Sequence, residues 1–226
     1  MRTIQGKDVF DSFAEVVDPR HTALLILDMQ NDFCAPNGKW NKHHGQGALD
    51  IDETVQGIAG VLDAARKYGI MTVFIENTHM AGALDESPAY FYFLGKQGFW
   101  DMIAEDVNTL DGTWGHETIA ELKPAEGEAV IKKWGFSAFH KTVLDKLLRG
   151  NGIQTAVIVG EETNGCILTT ARSAMYHDYY VVVLRDCVGS PKTELHEAAL
   201  ALLKDQLSTS AEIITEWKKG APGRPA

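Results

Sequence analysis

The sequence predicts an α/β fold of three layers, Rossmann-like, with a six-stranded parallel sheet flanked by helices. Two observations carry this expectation. Short, mostly apolar runs with little alternation recur along the chain, as strands buried on both faces do, and stretches with helical spacing lie between them. At 226 residues the chain has the volume of one domain. A single domain over 1–226 is expected, with its core at about 22–215, an N-terminal extension over 1–20 and a flexible tail over 218–226.

In chain order, Leu24-Leu25-Ile26-Leu27 is the first buried strand. Ile51, Val55, Ile58, Leu62 and Ala65 then repeat at helical spacing and stop at Gly69, a natural helix terminator. Met71 to Ile75 is the second strand and Ala129-Val130-Ile131 the third. Leu144, Leu147 and Leu148 mark a helix ending between Gly150 and Gly152, and Ala156 to Val159 follows as the fourth strand. Val181 to Leu184 is the fifth. Leu195, Ala198, Ala199, Leu202 and Leu203 mark a helix after Ser190-Pro191, and Ile213-Ile214 is expected to supply a sixth, short strand. The stretch from Asn77 to Gly127 breaks this rhythm, because connections in such folds usually take about 2–6 residues. Its aromatics, Tyr90 to Phe93 and Phe99-Trp100, suit either a ligand pocket or a subunit contact. Gly220 to Ala226 reads as a frayed tail.

Composition narrows the function. Hydrophobic residues at 45% and charged residues at 23% are globular values. The balance of 21 Lys+Arg against 31 Asp+Glu, net −10, has the wrong sign for a phosphate backbone, so no nucleic-acid partner is expected. No apolar run reaches the ~18–20 residues of a membrane span, and Met1 to Asp8 does not read as a secretory signal, so no membrane partner and a cytoplasmic location are expected. Three cysteines, Cys34, Cys166 and Cys187, form no Cys-x-x-Cys pair and support neither a disulfide framework nor a zinc knuckle.

Ligands of an open parallel sheet bind beyond the carboxyl ends of its strands. Those places hold Asp28, Glu76, Lys133, Glu161 to Cys166, and Asp186-Cys187. No glycine-rich phosphate loop follows the first strand, which argues against dinucleotides and nucleoside triphosphates. Cys166 stands where a sharp connection enters a helix running through Thr170, Ala171 and Ala174. There the helix dipole is expected to lower its pKa, and free backbone N–H groups could hold an oxyanion. Asp28 and Lys133 are costly to bury without partners. Together, an Asp proton acceptor, a Lys that stabilises charge and a Cys nucleophile suit covalent catalysis. A small buried hydrophobe is the plain alternative for Cys166.

Three ordered motifs carry a resemblance. Ala23 to Phe33 (ALLILDMQNDF), Ile131 to Phe139 (IKKWGFSAF) and Gly160 to Cys166 (GEETNGC) resemble the signatures of the isochorismatase-like cysteine hydrolases, and the similarity runs from about Thr22 to Thr215. The resemblance implies a triad of Cys166, Asp28 and Lys133, a six-stranded parallel sheet and a homo-oligomer, dimer or tetramer. It implies hydrolysis of a C–N bond through a thioester, or less often of an enol ether without one. It also places a cis peptide at Glu161–Glu162 and an oxyanion hole at the N–H groups of Glu162 and Cys166. Two carboxylates depart from the aliphatic and small residues usual there, and one of them is expected to accept N–H bonds from a urea-like substrate.

The segment Gly112-Thr113-Trp114, followed by Ile119 to Leu122, is similar to the ureidoacrylate, biuret and triuret hydrolase branches, and Gln206 falls where biuret hydrolases carry a glutamine. Substrate contacts are therefore expected from Glu161, Glu162, Gln206, Phe33 and Phe139, with a small amide or ureide and water as reactants. Arg172 is expected in an ion pair rather than at the substrate. His43, His44 and His79 lack the flanking pattern of metal-dependent nicotinamidases, so no metal and no cofactor are expected. Enol-ether hydrolysis and a non-catalytic oligomeric binding protein are the alternatives.

Overall fold

A computed structural model describes residues 1–44, 51–105 and 107–220, with the side chains of 43, 44, 51, 52 and 105 excepted. His43, His44 and residues 221–226 of the expected tail thus lie, in whole or in side chain, outside the described residues. The N-terminal extension is structured. β1 (Arg2–Ile4) and β2 (Lys7–Val9) form an antiparallel hairpin, and α1 (Phe13–Val16) follows with a capping box between Ser12 and Glu15.

The core runs β3 (Thr22–Leu27), α2 (Asn31–Cys34), α3 (Lys39–His44), α4 (Ile51–Tyr68), β4 (Met71–Asn77), α5 (Pro88–Lys96), α6 (Trp100–Glu105), β5 (Ala129–Lys133), α7 (Leu144–Gly150), β6 (Thr155–Glu161), α8 (Leu168–Tyr176), β7 (Tyr180–Gly189), α9 (Thr193–Leu202), β8 (Leu207–Ser208) and α10 (Ser210–Gly220). The sheet has six strands in the order β5-β4-β3-β6-β7-β8, all pairs parallel. From β3 the chain moves outward to β4 and β5, then returns to lay β6 on the other side of β3. The order therefore reverses between β3 and β6, and a crevice opens at their carboxyl ends.

Every residue of β3 is buried, and its side chains alternate between two cores. Leu24 and Ile26 pack with Phe74, Val157, Leu62 and Trp217 beneath α4 and α10. Leu25 and Leu27 pack with Ile75, Ile158, Leu148 and Ala171 beneath α7 and α8. That double burial explains the unalternating apolar runs. β5 lies at an edge, and its Val130 is 46% exposed.

The sixth strand is not Ile213-Ile214, as the sequence suggested, but Leu207–Ser208, paired with Val183 and Leu184. Both isoleucines sit on α10, where Ile213 and Trp217, one helical turn apart, are fully buried. Thr209 and Glu212 exchange bonds at the start of this helix, so capping and a period of four outweigh the β-branched pair. Lys218 to Gly220, expected in the tail, complete the same helix. The long segment after β4 folds into α5, α6 and three short helical turns. Leu94, Phe99 and Met102 form a small core there with Trp40 and Tyr90 packed against it.

Candidate active site

The crevice holds a cavity of about 190 Å³ lined by residues from both sides of the reversal point, among them Asp28, Asn77, Glu161, Glu162 and Cys166. Asp28 leaves β3 at φ +57°, a left-handed conformation that aspartate tolerates better than most residues. Its backbone N–H donates to Ile75 O at 2.9 Å, which ties the turn to β4. Its Oδ1 accepts from Asn77 N at 3.0 Å, and its Oδ2 lies 3.0 Å from Lys133 Nζ. Both side chains are buried.

Lys133 reaches Gly135 O at 2.8 Å, Cys166 Sγ at 3.2 Å and Asn77 Oδ1 at 3.3 Å as well as Asp28. Three N–H groups thus serve four acceptors, a setting that favours the ammonium. Burial pulls Lys133 down, but Asp28 and Cys166 outweigh it and the net shift is upward. Burial raises Asp28 above the ordinary carboxylate range, while Lys133 opposes the rise. The sequence placed Cys166 at a helix N-terminus with a lowered pKa. It stands instead in a π-helical turn, Thr163–Ile167, ahead of α8. Burial pushes the thiol up, Asp28 adds to the rise, and Lys133 only partly opposes it. A thiol held up in this way needs a base at the moment of attack.

Gly160 makes the corner before this turn possible. Its φ of +119° is open mainly to glycine, and a Cβ would run into Leu27 O of the neighbouring strand. The Glu161–Glu162 peptide that follows is cis. Glu162 accepts from Trp40 Nε1 at 2.8 Å, and burial raises its pKa.

Behind the candidate triad runs a polar chain whose directions follow from donor chemistry. Lys133 can only donate, so Asn77 presents its oxygen to it and its NH₂ to His79 Nε2 (3.1 Å) and Thr109 Oγ1 (3.1 Å). Nε2 is then the acceptor, and the protonated Nδ1 lies 2.6 Å from Glu86 Oε1. Asp32 ties the long segment after β4 to α3 by accepting from Thr109 N at 2.7 Å and Lys39 N at 3.1 Å. His79, Asp85 and Glu86 are also the group, among the described residues, whose ligand atoms lie close enough together for a cation. Nε2 of His79 is taken by Asn77, while Nδ1 lies close to Glu86 and Asp85 without a hydrogen bond to either.

Of the sequence candidates, Asp28, Cys166, Glu161, Glu162 and Phe33 line the cavity, and Lys133 contacts Asp28 and Cys166. Phe139 does not line it. It is buried under α7 and α8 against Tyr179 and His177, because the chain turns its ring into the second core. Gln206 also lies elsewhere. It closes a 3₁₀ turn before β8, level with Val182 near the start of β7 and away from the carboxyl edge. Glu76 points to the opposite side of its strand, where Thr118 Oγ1 donates to it at 2.9 Å, and Asp186 accepts from Ser210 N. Burial raises Cys34 and Cys187. Arg172 makes no ion pair among the described residues. It donates to Leu202 O at 2.7 Å, at the carbonyl end of α9. Tyr90 and Phe93, from the aromatic stretch that suited a pocket or a subunit contact, line the cavity, whereas sequence reasoning missed Asn77 and Trp40. Asn77 was findable as a carboxyl-end residue of its strand, whereas nothing local marks Trp40, which long-range folding brings to the cavity.

The isochorismatase domain model matches residues 22–215. Ureidoacrylate amidohydrolase RutB of Variovorax paradoxus is 31% identical over 212 residues, covering 87% of this chain and 77% of that protein. An isochorismatase family protein from Desulfovibrio vulgaris superposes with a TM-score of 0.72 at 31% identity, over 86% of this chain and 96% of that one. N-carbamoylsarcosine amidase from Thermoplasma acidophilum does so at 0.65 and 25%, over 84% and 96% respectively.

Proposed function

The chain belongs to the isochorismatase family, and on that premise we propose that it is an amidohydrolase cleaving a C–N bond of a small linear ureide or amide through a thioester on Cys166. The observation that carries this reading is Lys133 Nζ lying 3.0 Å from Asp28 Oδ2 and 3.2 Å from Cys166 Sγ, buried beside the cavity that Asp28 and Cys166 line. The names of two relatives, a ureidoacrylate amidohydrolase and a carbamoylsarcosine amidase, support it with substrates that carry a carbamoyl nitrogen.

In the proposed cycle Asp28 takes the thiol proton and the thiolate attacks the carbonyl carbon. The N–H groups of Glu162 and Cys166 receive the oxyanion, and Lys133 holds the charge balance. Asp28, with its raised pKa, retains the proton long enough to pass it to the departing nitrogen. The C–N bond then breaks, leaving a thioester. Asp28 next deprotonates a water, which attacks the thioester carbon and releases the acid and the thiol. Cytoplasmic reducing conditions would keep this thiol free, and we take the working form to be a homo-oligomer.

The test is ammonia or product release from biuret, triuret, ureidoacrylate, nicotinamide, maleamate and isochorismate. Wild-type protein should turn over a ureide or amide, with the Cys166→Ser variant lower by about 10³-fold or more and Cys34→Ser and Cys187→Ser active. Equal loss in Cys187→Ser, or undiminished turnover in Cys166→Ser, overturns the thioester reading.

A further inference from the structure

Among the described residues the carboxyl of Glu161 stands without a partner. It is 1% exposed, and neither carboxyl oxygen has a hydrogen-bond partner among the described residues. Its direction follows from the strand. Val157 and Val159, on the same face of β6, pack in the core that also holds Phe33 and Cys34, so Glu161 continues that row into the cavity it lines.

The rest of the cavity sharpens the imbalance. Its described lining includes three carboxyl groups, Asp28, Glu161 and Glu162, and no arginine, lysine or histidine. Lys133 answers Asp28, and Trp40 donates to Glu162. Lys192 also pulls on Glu162, less than Trp40 does, but it is exposed before α9 and lines no part of the cavity. Around Glu161 and Glu162 stand the rings of Phe33, Trp40, Tyr90, Phe93 and Phe136. An unpaired buried carboxyl is costly, and aromatic faces beside it attract a cation. An anionic substrate arm would meet a group of carboxyls and no described basic residue to receive it, whereas a cation would favour the ionised form of Glu161.

We propose that this cavity selects a cationic substrate, with Glu161 receiving a protonated N–H-rich arm, an ammonium, amidinium or guanidinium, at the end of the molecule remote from the scissile carbonyl. The proposal rests on the amidohydrolase reading for what is cleaved, and it stands apart from that reading in what is bound. It separates this chain from its ureidoacrylate-cleaving relative, whose named substrate bears a carboxylate.

The test uses three ureides matched in size: N-(2-aminoethyl)urea, N-propylurea and 3-ureidopropionate. Binding is measured by calorimetry on the Cys166→Ala protein, where no chemistry is required, and kcat/KM on the wild type. The cation should bind about 10–100-fold more tightly than the neutral analogue, the range of a charge-assisted hydrogen bond in a desolvated site, and the anion more weakly still. Glu161→Gln should collapse the cation-to-neutral ratio towards one. Glu162→Gln, read the same way, supplies an independent variant should the first fold poorly. An equal or reversed order, a ratio unchanged by both substitutions, or failure of both aminoethylurea and free guanidinium to bind overturns the proposal. Preferential cation binding without turnover of any ureide sustains it and overturns only the amidohydrolase reading.

Discussion

Asp28 and Lys133 are each intolerable alone and tolerable together. A carboxylate and an ammonium buried beyond the reach of water must pair, and the pair lies where the thiol needs a base. Because Asp28 is raised by burial and Lys133 opposes that rise, the sign of the pH dependence follows. The base works unprotonated, so kcat/KM should fall as pH drops through a value above the ordinary carboxylate pKa of about 4. Lys133→Met removes the opposing charge, so its residual activity should lose its acid limb at still higher pH. Rate profiles between pH 4 and about 9 check this, and an acid limb that moves down in the variant contradicts it. Asp28 and Lys133 were legible in the sequence because charged residues at the ends of apolar strands are conspicuous. The side chain of Glu161 was legible as a carboxylate out of place, but its lack of any partner was not.

At the scale of elements, the site depends on how closely β6 approaches β3. Gly160 permits that approach. In Gly160→Ala a methyl group must displace Leu27 O or the strand must part from its neighbour, and the backbone must hold a conformation alanine avoids. A loss of about 2–4 kcal/mol is expected, read as a lower midpoint in denaturant, and a change under about 0.5 kcal/mol contradicts the account. The chain from Lys133 through Asn77 and His79 to Glu86 links the sheet to the insert. Glu86→Gln removes the carboxylate that fixes the protonated nitrogen of His79. Its kcat should fall about 10-fold or more through mispositioning of Lys133, with KM nearly unchanged. Loss in KM alone would place Glu86 at the substrate instead. Nothing in the sequence pointed to this chain, because its links span the segment that breaks the strand-helix rhythm.

For the whole molecule, buried carboxyls set the response of stability to pH. Glu161 is raised well above its ordinary value by burial first and by Glu162 and Asp28 next. A carboxyl whose folded pKa is raised favours the fold while protonated. That contribution is complete below the unfolded pKa of about 4.3 and is lost as pH climbs to the folded value. Glu161→Gln cannot lose it. The variant's Tm advantage over wild type should therefore widen with pH by up to about 1.4 kcal/mol, or about 3–6 °C, per pH unit in that window. A constant difference would show that Glu161 is already paired. Among the described residues no helix is long and apolar enough to cross a membrane, in keeping with the composition.

By itself the sequence determined the order of the first five strands of the sheet and of the helices between them, and singled out Asp28, Lys133 and Cys166 as candidates. Burial on both faces leaves an apolar run, helical packing leaves a period, and isolated charges or thiols interrupt both. Tertiary structure alone decided which short segment closes the sheet, since Leu207–Ser208 pairs by position and Ile213-Ile214 is claimed by the helix core. It also decided which aromatics line the cavity: Phe33 does, while Phe139, equally apolar and equally close to a motif, turns into the core. The reason is the same in both cases. Local sequence fixes what a segment can bury, but which neighbour it buries against depends on the return of the chain from β5 to β6.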